Sequence, residues 1–163
     1  MQVNIGIPTK AAKAIIEMLN QLLADEYILL TKTRNYHWHV FGPSFMEMHK
    51  FYEEQYEVLR EIIDVLAERV TQLGFTATAT LREFLELTRL KEGLHIFDAA
   101  DQVKQLLSDH ETVARQVRTD IGQIENDLKA DDPVTIDLLT GFLTEHEKMA
   151  WMLRSYLGHA LNT

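Results

Sequence analysis

Prolines and glycines are scarce in this 163-residue chain, and most of them fall between long stretches of helical periodicity. Only three prolines and seven glycines are present, and Pro8, Gly74, Pro133 and Gly158 stand near the ends of periodic segments. Because these residues start or stop helices, their placement favours a few long helices over many short strands. The sequence therefore predicts an all-α fold.

Four long helices and one short helix are expected. Their expected bounds, in chain order, are Pro8 and Thr9 to about Tyr36, Ser44 to Gly74, Thr80 to about Leu90, about Asp98 to just before Asp131, and Asp132 and Pro133 to about Gly158. Capping boxes are predicted at Ser44 with Glu47 and at Thr80 with Glu83. Helices of about 25–30 residues are about 40 Å long, which suits a four-helix bundle with the short helix inserted between helices two and three. Without a repeat or linker, residues 1–163 are expected to form a single domain.

Charge and cysteine content exclude several classes of function. The chain has 16 Lys and Arg against 25 Asp and Glu, a formal charge of −9, and no Cys. Disulfides and thiolate metal sites are therefore excluded, and broad binding to DNA or anionic membranes is disfavoured because it requires clustered basic residues. The N-terminus lacks a basic region followed by an apolar run, and no apolar stretch is long enough to span a membrane, so the expected compartment is the cytoplasm.

The residue types that carry chemistry cluster on the second predicted helix. On a helical wheel of about 100° per residue, with His49 as reference, Glu53, Asp64 and Glu68 all fall within about 100°. This stripe adjoins the apolar face without occupying it, which predicts a site at a boundary. A boundary site is only half built within one chain, and a symmetry-related copy can complete it.

Imidazole nitrogen combined with carboxylate oxygen is a ligand set for iron, manganese or zinc. His37 and His39, which precede the second helix, offer further nitrogens. The alternative interpretation is an ordinary solvated helix face, because Asp64 and Glu68 also stand near arginines such as Arg69.

A metal site inside the bundle has little support in the sequence. Such sites use Glu-x-x-His motifs on long helices, and the only match, Glu92 to His95, lies in a connection that contains glycine. The bundle centre is therefore expected to be apolar. His110 and His146 share the register of inward apolar residues, so they are expected to be hydrogen-bonded structural residues.

A larger set of residues keeps a spacing that is typical of one known family. The residues of this set are His37-Trp38-His39-Val40, Gly42, Phe45, His49, Glu53, Asp64 and Glu68-Arg69. In this set the sequence resembles the Dps family, the ferritin-like DNA-binding proteins from starved cells, over nearly the whole chain. The resemblance implies a hollow homododecamer that oxidises Fe²⁺ at di-iron sites between two-fold-related subunits. The implied oxidant is hydrogen peroxide, with oxygen as the alternative, and the ferric product is stored inside as mineral that protects the cell from oxidative damage.

The resemblance also implies which residues bind the metal. His37 and His49 are the nitrogen ligands from one subunit, with Glu53 beside them, and Asp64 and Glu68 are the carboxylates from its partner. Glu53 stands where relatives often have Asp, so its role is less defined. Zinc suits the same ligands and is expected to compete with iron.

Further roles follow from the same resemblance. Trp38 matches a tryptophan beside the site, and is either an electron relay or a plain interface anchor. His39 is left without a role. Asp127, Asp132 and Asp137 lie where the family lines an iron-entry pore with aspartates, although Asp132 is equally well placed as a helix N-cap.

DNA compaction is the alternative function, and it requires a basic tail. No Lys or Arg precedes Lys10, and residues 160–163 are uncharged. Twelve copies would carry about 108 negative charges, so DNA binding is expected to be weak or absent at neutral pH unless divalent cations bridge.

Overall fold

The structure, a computed structural model, describes residues 3–128 and 130–158. These comprise the helices α1 (Thr9–His39), α2 (Phe45–Gln72), α3 (Leu81–Leu87), α4 (Ala99–Gly122) and α5 (Pro133–Tyr156), with a π-helical turn at Gln123–Asp127. No strand occurs among them. The predicted all-α class and the short helix between the second and third long helices are confirmed. The C-terminal residues 160–163 lie outside the described part.

Most helix ends follow the capping signals in the sequence. Thr80 and Glu83 form the predicted capping box at the start of α3. The Asp132 side chain accepts a hydrogen bond from the Thr135 backbone N–H, and Pro133 occupies the first turn of α5. The box predicted at Ser44 is wrong, because the Ser44 side chain makes no capping hydrogen bond; Ser44 instead has φ −92° and ψ 18°, outside the extended conformation of a capping residue.

Three helix ends lie three or more residues from their predicted positions. Helix α4 ends at Gly122 and is followed by the π-helical turn to Asp127, short of the predicted end just before Asp131. Helix α1 continues to His39, three residues past the predicted end, because the first helix-breaking residues after Tyr36 are Gly42 and Pro43. Helix α3 ends at Leu87 rather than near Leu90. The extension of α1 places His37 on its last turn.

The long helices pack as two antiparallel pairs. Helix α1 packs along α2 and α4 packs along α5, while α3 covers one side of α1. The shared core contains buried aliphatic residues from all four long helices, including Leu22, Leu59, Leu66, Leu106 and Leu139. Burying such side chains supplies about 1.5–3 kcal/mol each.

The bundle centre is not purely apolar, which corrects the sequence-based expectation. Glu26, His110 and His146 are fully buried between the helices and are joined by hydrogen bonds. Lys32 and Asp109 form a second buried pair, with 2.6 Å between Nζ and Oδ2. These residues are far apart in sequence, and helical periodicity does not reveal such pairing. The predicted inward, hydrogen-bonded positions of both histidines are confirmed.

None of the helices within residues 3–128 and 130–158 combines the length and the apolar character that a membrane crossing requires.

Candidate metal centre

Two histidines meet where the chain turns from α1 into α2. His37 lies on the last turn of α1 and His49 on the first turns of α2. Their rings stack with centroids 3.8 Å apart and planes 21° apart. The turn between them includes Gly42 at φ +107°, a conformation that glycine adopts without steric cost.

Each of the two histidines bonds the backbone of the other. His37 Nδ1 lies 2.8 Å from the His49 carbonyl oxygen, and His49 Nδ1 lies 3.0 Å from the His37 carbonyl oxygen. A carbonyl only accepts, so both Nδ1 atoms donate their protons. Each neutral ring is thereby held in the tautomer that leaves Nε2 unprotonated and able to bind a metal, which is the usual arrangement of a ligating histidine.

Aromatic side chains fix the orientation of this histidine pair. The Tyr56 ring meets His37 edge-on at a centroid distance of 5.2 Å, and Phe45 stacks on His49 at the same distance. The Tyr56 hydroxyl donates to Glu53 Oε1 at 3.3 Å. Desolvation and the nearby Glu53 carboxylate raise the pKa of Tyr56, so the hydroxyl stays protonated and keeps Glu53 beside the pair.

The predicted carboxylates lie on the exposed side of α2. Glu53, Asp64 and Glu68 are all exposed, whereas His49 is half-buried. The stripe therefore borders the core, as the helical wheel predicts. Asp64 and Glu68 are one helical turn apart, a spacing that lets both carboxylates face one ion.

The histidine pair and the distal carboxylates are too far apart to hold one ion within a subunit. Asp64 follows His49 by 15 residues along one continuous helix, which at 1.5 Å per residue separates them by about 22 Å. No group of three or more potential ligand side chains in the described part of the chain is arranged to hold a metal ion. Within one chain, the histidine pair and the Asp64–Glu68 pair are therefore two separate groups.

Trp38 projects outward beside the histidine pair, with 67% of its surface exposed. Phe41, in the turn that follows α1, is 66% exposed. Large aromatic side chains of this kind bury well against another protein surface.

The three aspartates near the start of α5 have different environments. Asp127 and Asp137 are exposed. Asp132 is buried, and its Oδ1 accepts hydrogen bonds from Arg69 Nη2 at 2.7 Å and from the Thr135 backbone N–H at 3.0 Å. The structure thus shows Asp132 in the N-cap role that the sequence offered as the alternative to a pore.

Two features near the site were absent from the sequence-based prediction. The reciprocal Nδ1 bonds depend on the turn geometry, and Arg34 lies over the Tyr56 ring at 5.1 Å. The spacing from Arg34 to His37 is almost one helical turn, but only the packing of α1 on α2 brings Arg34 to the Tyr56 ring.

Comparisons with known proteins agree with this architecture. The sequence profile of the ferritin-like domain family matches residues 16–161. An uncharacterized low temperature-induced protein of Nostoc sp. is 43% identical over 157 residues, covering 96% of this chain and 87% of the relative. DNA protection during starvation protein 2 of Bacillus anthracis is 38% identical over 145 residues, covering 89% of this chain and 97% of the relative.

The fold also matches solved structures. The crystal structure of a Dps protein from Vibrio cholerae O1 superposes with a TM-score of 0.90 at 29% identity, covering 96% of this chain and 98% of that one. That protein is described as a member of a broad superfamily of ferritin-like diiron-carboxylate proteins.

Proposed function

The chain belongs to the Dps family of ferritin-like proteins, and on this premise we propose that it oxidises Fe²⁺ and stores the ferric product inside a hollow homo-oligomer. The observation that carries the proposal is the reciprocal histidine pair, which leaves Nε2 of His37 and of His49 free. Nitrogen and oxygen ligands together suit iron, with zinc as a competitor.

The proposed oxidation site is shared by two subunits. His37, His49 and Glu53 come from one subunit, and Asp64 and Glu68 from its two-fold partner. The separation of about 22 Å along α2 supports this arrangement. A two-fold axis perpendicular to α2 makes the two copies of the helix antiparallel, so Asp64 and Glu68 of one copy come to lie beside His49 of the other. Each interface then holds two equivalent sites, and the proposed full assembly is a dodecamer.

Hydrogen peroxide is the proposed oxidant, with oxygen as the alternative. Two Fe²⁺ ions give one electron each to one peroxide, whose O–O bond breaks; with two protons taken up, the products are two Fe³⁺ and two water molecules. Because both electrons are delivered together, no hydroxyl radical is released. The carboxylates favour this chemistry by stabilising Fe³⁺ over Fe²⁺.

Trp38 is proposed to pass an electron to the oxidant when only one Fe²⁺ is bound. Its exposed ring follows His37 directly in the chain. The alternative role is that of an anchor at the interface. Replacing Trp38 with Phe keeps an aromatic anchor but removes the easily oxidised indole, so a relay role predicts more radical damage with excess peroxide.

Iron entry is proposed to use Asp127 and Asp137, whose exposed carboxylates attract Fe²⁺.

Protection of DNA, which the name of the Bacillus relative mentions, is proposed here to be chemical, through removal of Fe²⁺ and peroxide. The net charge of −9 per subunit supports this choice, because direct DNA binding requires clustered positive charge.

The test is to load metal-free protein anaerobically with Fe²⁺, add one hydrogen peroxide per two irons, and follow the ferric absorbance. Fast oxidation with iron kept in solution is expected for the wild type. It should be lost in the Asp64→Ala, Glu68→Ala double variant.

A matched control removes two other carboxylates from the same helix. Glu54 and Glu57 lie on α2 outside the proposed site, and Glu57 forms an ion pair with the exposed Arg60. The Glu54→Ala, Glu57→Ala variant changes the charge equally and should oxidise iron like the wild type. Equal, slow oxidation in the wild type and in both variants would refute the proposal.

A further inference from the structure

A second pair of histidines lies near the end of α1, outside the proposed oxidation site. His39 occupies the last position of α1, and His95 lies in the connection between α3 and α4. Their ring centroids are 5.4 Å apart and the ring planes are inclined by 68°. His95 is exposed and His39 is half-buried, so solvent reaches the pair.

The hydrogen bonding of His39 leaves one of its nitrogens free. His39 Nδ1 lies 2.7 Å from the backbone carbonyl oxygen of Asn35, one turn earlier in α1. Because the carbonyl only accepts, Nδ1 carries the proton and Nε2 of the neutral ring keeps its lone pair. This is the arrangement that orients a histidine for metal binding.

The separation of the two rings matches that of imidazoles sharing one ion. With metal–nitrogen bonds of about 2.0–2.1 Å and a near-tetrahedral angle, two ligating ring centres lie about 5 Å apart. The rings of His37 and His49, stacked at 3.8 Å, have a closer and more parallel arrangement. Phe97 packs edge-on against His39, with ring centroids 6.3 Å apart.

We propose that His39 and His95 form an accessory surface site for one divalent transition-metal ion of the Zn²⁺ or Fe²⁺ class, with water completing its coordination. Imidazole nitrogens suit such ions, whereas Mg²⁺ and Ca²⁺ prefer oxygen. The site is separate from that of His37, because residues two apart on a helix point about 200° away from each other. It does not depend on iron oxidation.

The test counts Zn²⁺ bound to metal-free protein by equilibrium dialysis. His39→Phe and His95→Phe each keep an aromatic ring but remove the nitrogens, and each should lose one ion per subunit. The double variant should lose no more than either single variant, because both side chains hold the same ion. The same loss should appear when His95→Phe is added to the Asp64→Ala, Glu68→Ala background.

Phe97→Leu is the matched control, since it changes the ring packed on His39 without removing a nitrogen. It should bind as many ions as the wild type. Thermal unfolding without metal identifies any variant that fails to fold, and His95→Phe, at an exposed position, then decides the outcome. An unchanged Zn²⁺ count in folded His95→Phe would overturn the proposal, as would losses that add in the double variant.

Discussion

The Nδ1 atoms of His110 and His146 lie 3.0 Å apart at the centre of the bundle, where neither side chain is exposed. On its other side, His146 Nε2 lies 2.8 Å from Glu26 Oε1. The three side chains form a hydrogen-bonded row from α4 through α5 to α1. The outer atoms, His110 Nε2 and Glu26 Oε2, have no hydrogen-bond partner among the described residues. The row links three helices, but its stability depends on protonation.

The buried row predicts a loss of stability in mild acid. Burial, and secondly the neighbouring His146, lowers the pKa of His110 well below 6.5. The folded ring stays neutral, whereas the ring in the unfolded chain takes up a proton below about pH 6.5. The contribution of neutral His110 to the free energy of unfolding is therefore complete above about pH 6.5 and is lost as the pH falls toward the folded pKa. Between pH 6.5 and 5.5, the free energy of unfolding of the wild type should fall by about 1 kcal/mol more than that of His110→Gln.

Urea unfolding of metal-free protein measures this difference. The protein concentration is kept the same in every sample, because assembly also affects stability. His95→Gln removes an exposed imidazole instead and should keep the wild-type slope. If wild type and His110→Gln lose the same free energy over this interval, His110 is not the group responsible.

Periodicity and capping residues predict most of this fold because they act within one helix. The Thr80–Glu83 box and the Asp132 cap are local, and the structure confirms both. The bond between His146 and Glu26 spans 120 residues. Their pairing depends on how α1 and α5 pack, and the pattern within a single helix does not encode it.

The candidate site is likewise only partly predictable from the sequence. The exposed stripe of Glu53, Asp64 and Glu68 follows from helical geometry and was predictable. The mutual bonds between His37 and His49 were not, because they require α1 to extend to His39 and the chain to turn back through Gly42. That turn is a tertiary arrangement which residue spacing alone leaves open.

The buried ion pair of Lys32 and Asp109 should be costly to break on one side only. Its side chains are 1% and 8% exposed, and burial raises the pKa of Asp109 although Lys32 opposes this. Lys32→Met should therefore reduce the unfolding free energy by about 3–5 kcal/mol at pH 7, since it leaves an unpaired buried carboxylate. Chemical denaturation measures the change.

Removing both charges should be tolerated better than removing one. Lys32→Met with Asp109→Leu should recover most of the lost stability, because no charge then remains unpaired. Arg60→Met, which breaks an exposed pair with Glu57, should change stability by less than about 1 kcal/mol. A double variant as unstable as Lys32→Met would contradict this account of the pair.

Asp132 and Asp137 should respond differently to substitution. Asp132→Ala removes both the N-cap and the partner of buried Arg69, so the unfolding free energy should fall by about 3–5 kcal/mol. Asp137→Asn, at an exposed position, should leave stability unchanged but slow iron uptake at low Fe²⁺ concentration. Stopped-flow oxidation and urea unfolding separate the two effects, and uptake at the wild-type rate in Asp137→Asn would exclude Asp137 from the entry path.

A shared oxidation site predicts that two inactive variants restore each other. His49→Gln lacks a nitrogen ligand, whereas Asp64→Ala with Glu68→Ala lacks the carboxylates, and each alone should be inactive. In a mixed two-fold pair, one of the two sites combines an intact histidine half with an intact carboxylate half. Random pairing at equal amounts should therefore restore about one quarter of the wild-type sites.

The ferric absorbance after mixed reassembly measures the recovery. Separately assembled variants, mixed only afterwards, should stay inactive. No recovery in the reassembled mixture would mean that the histidines and the carboxylates do not serve one site across a two-fold interface.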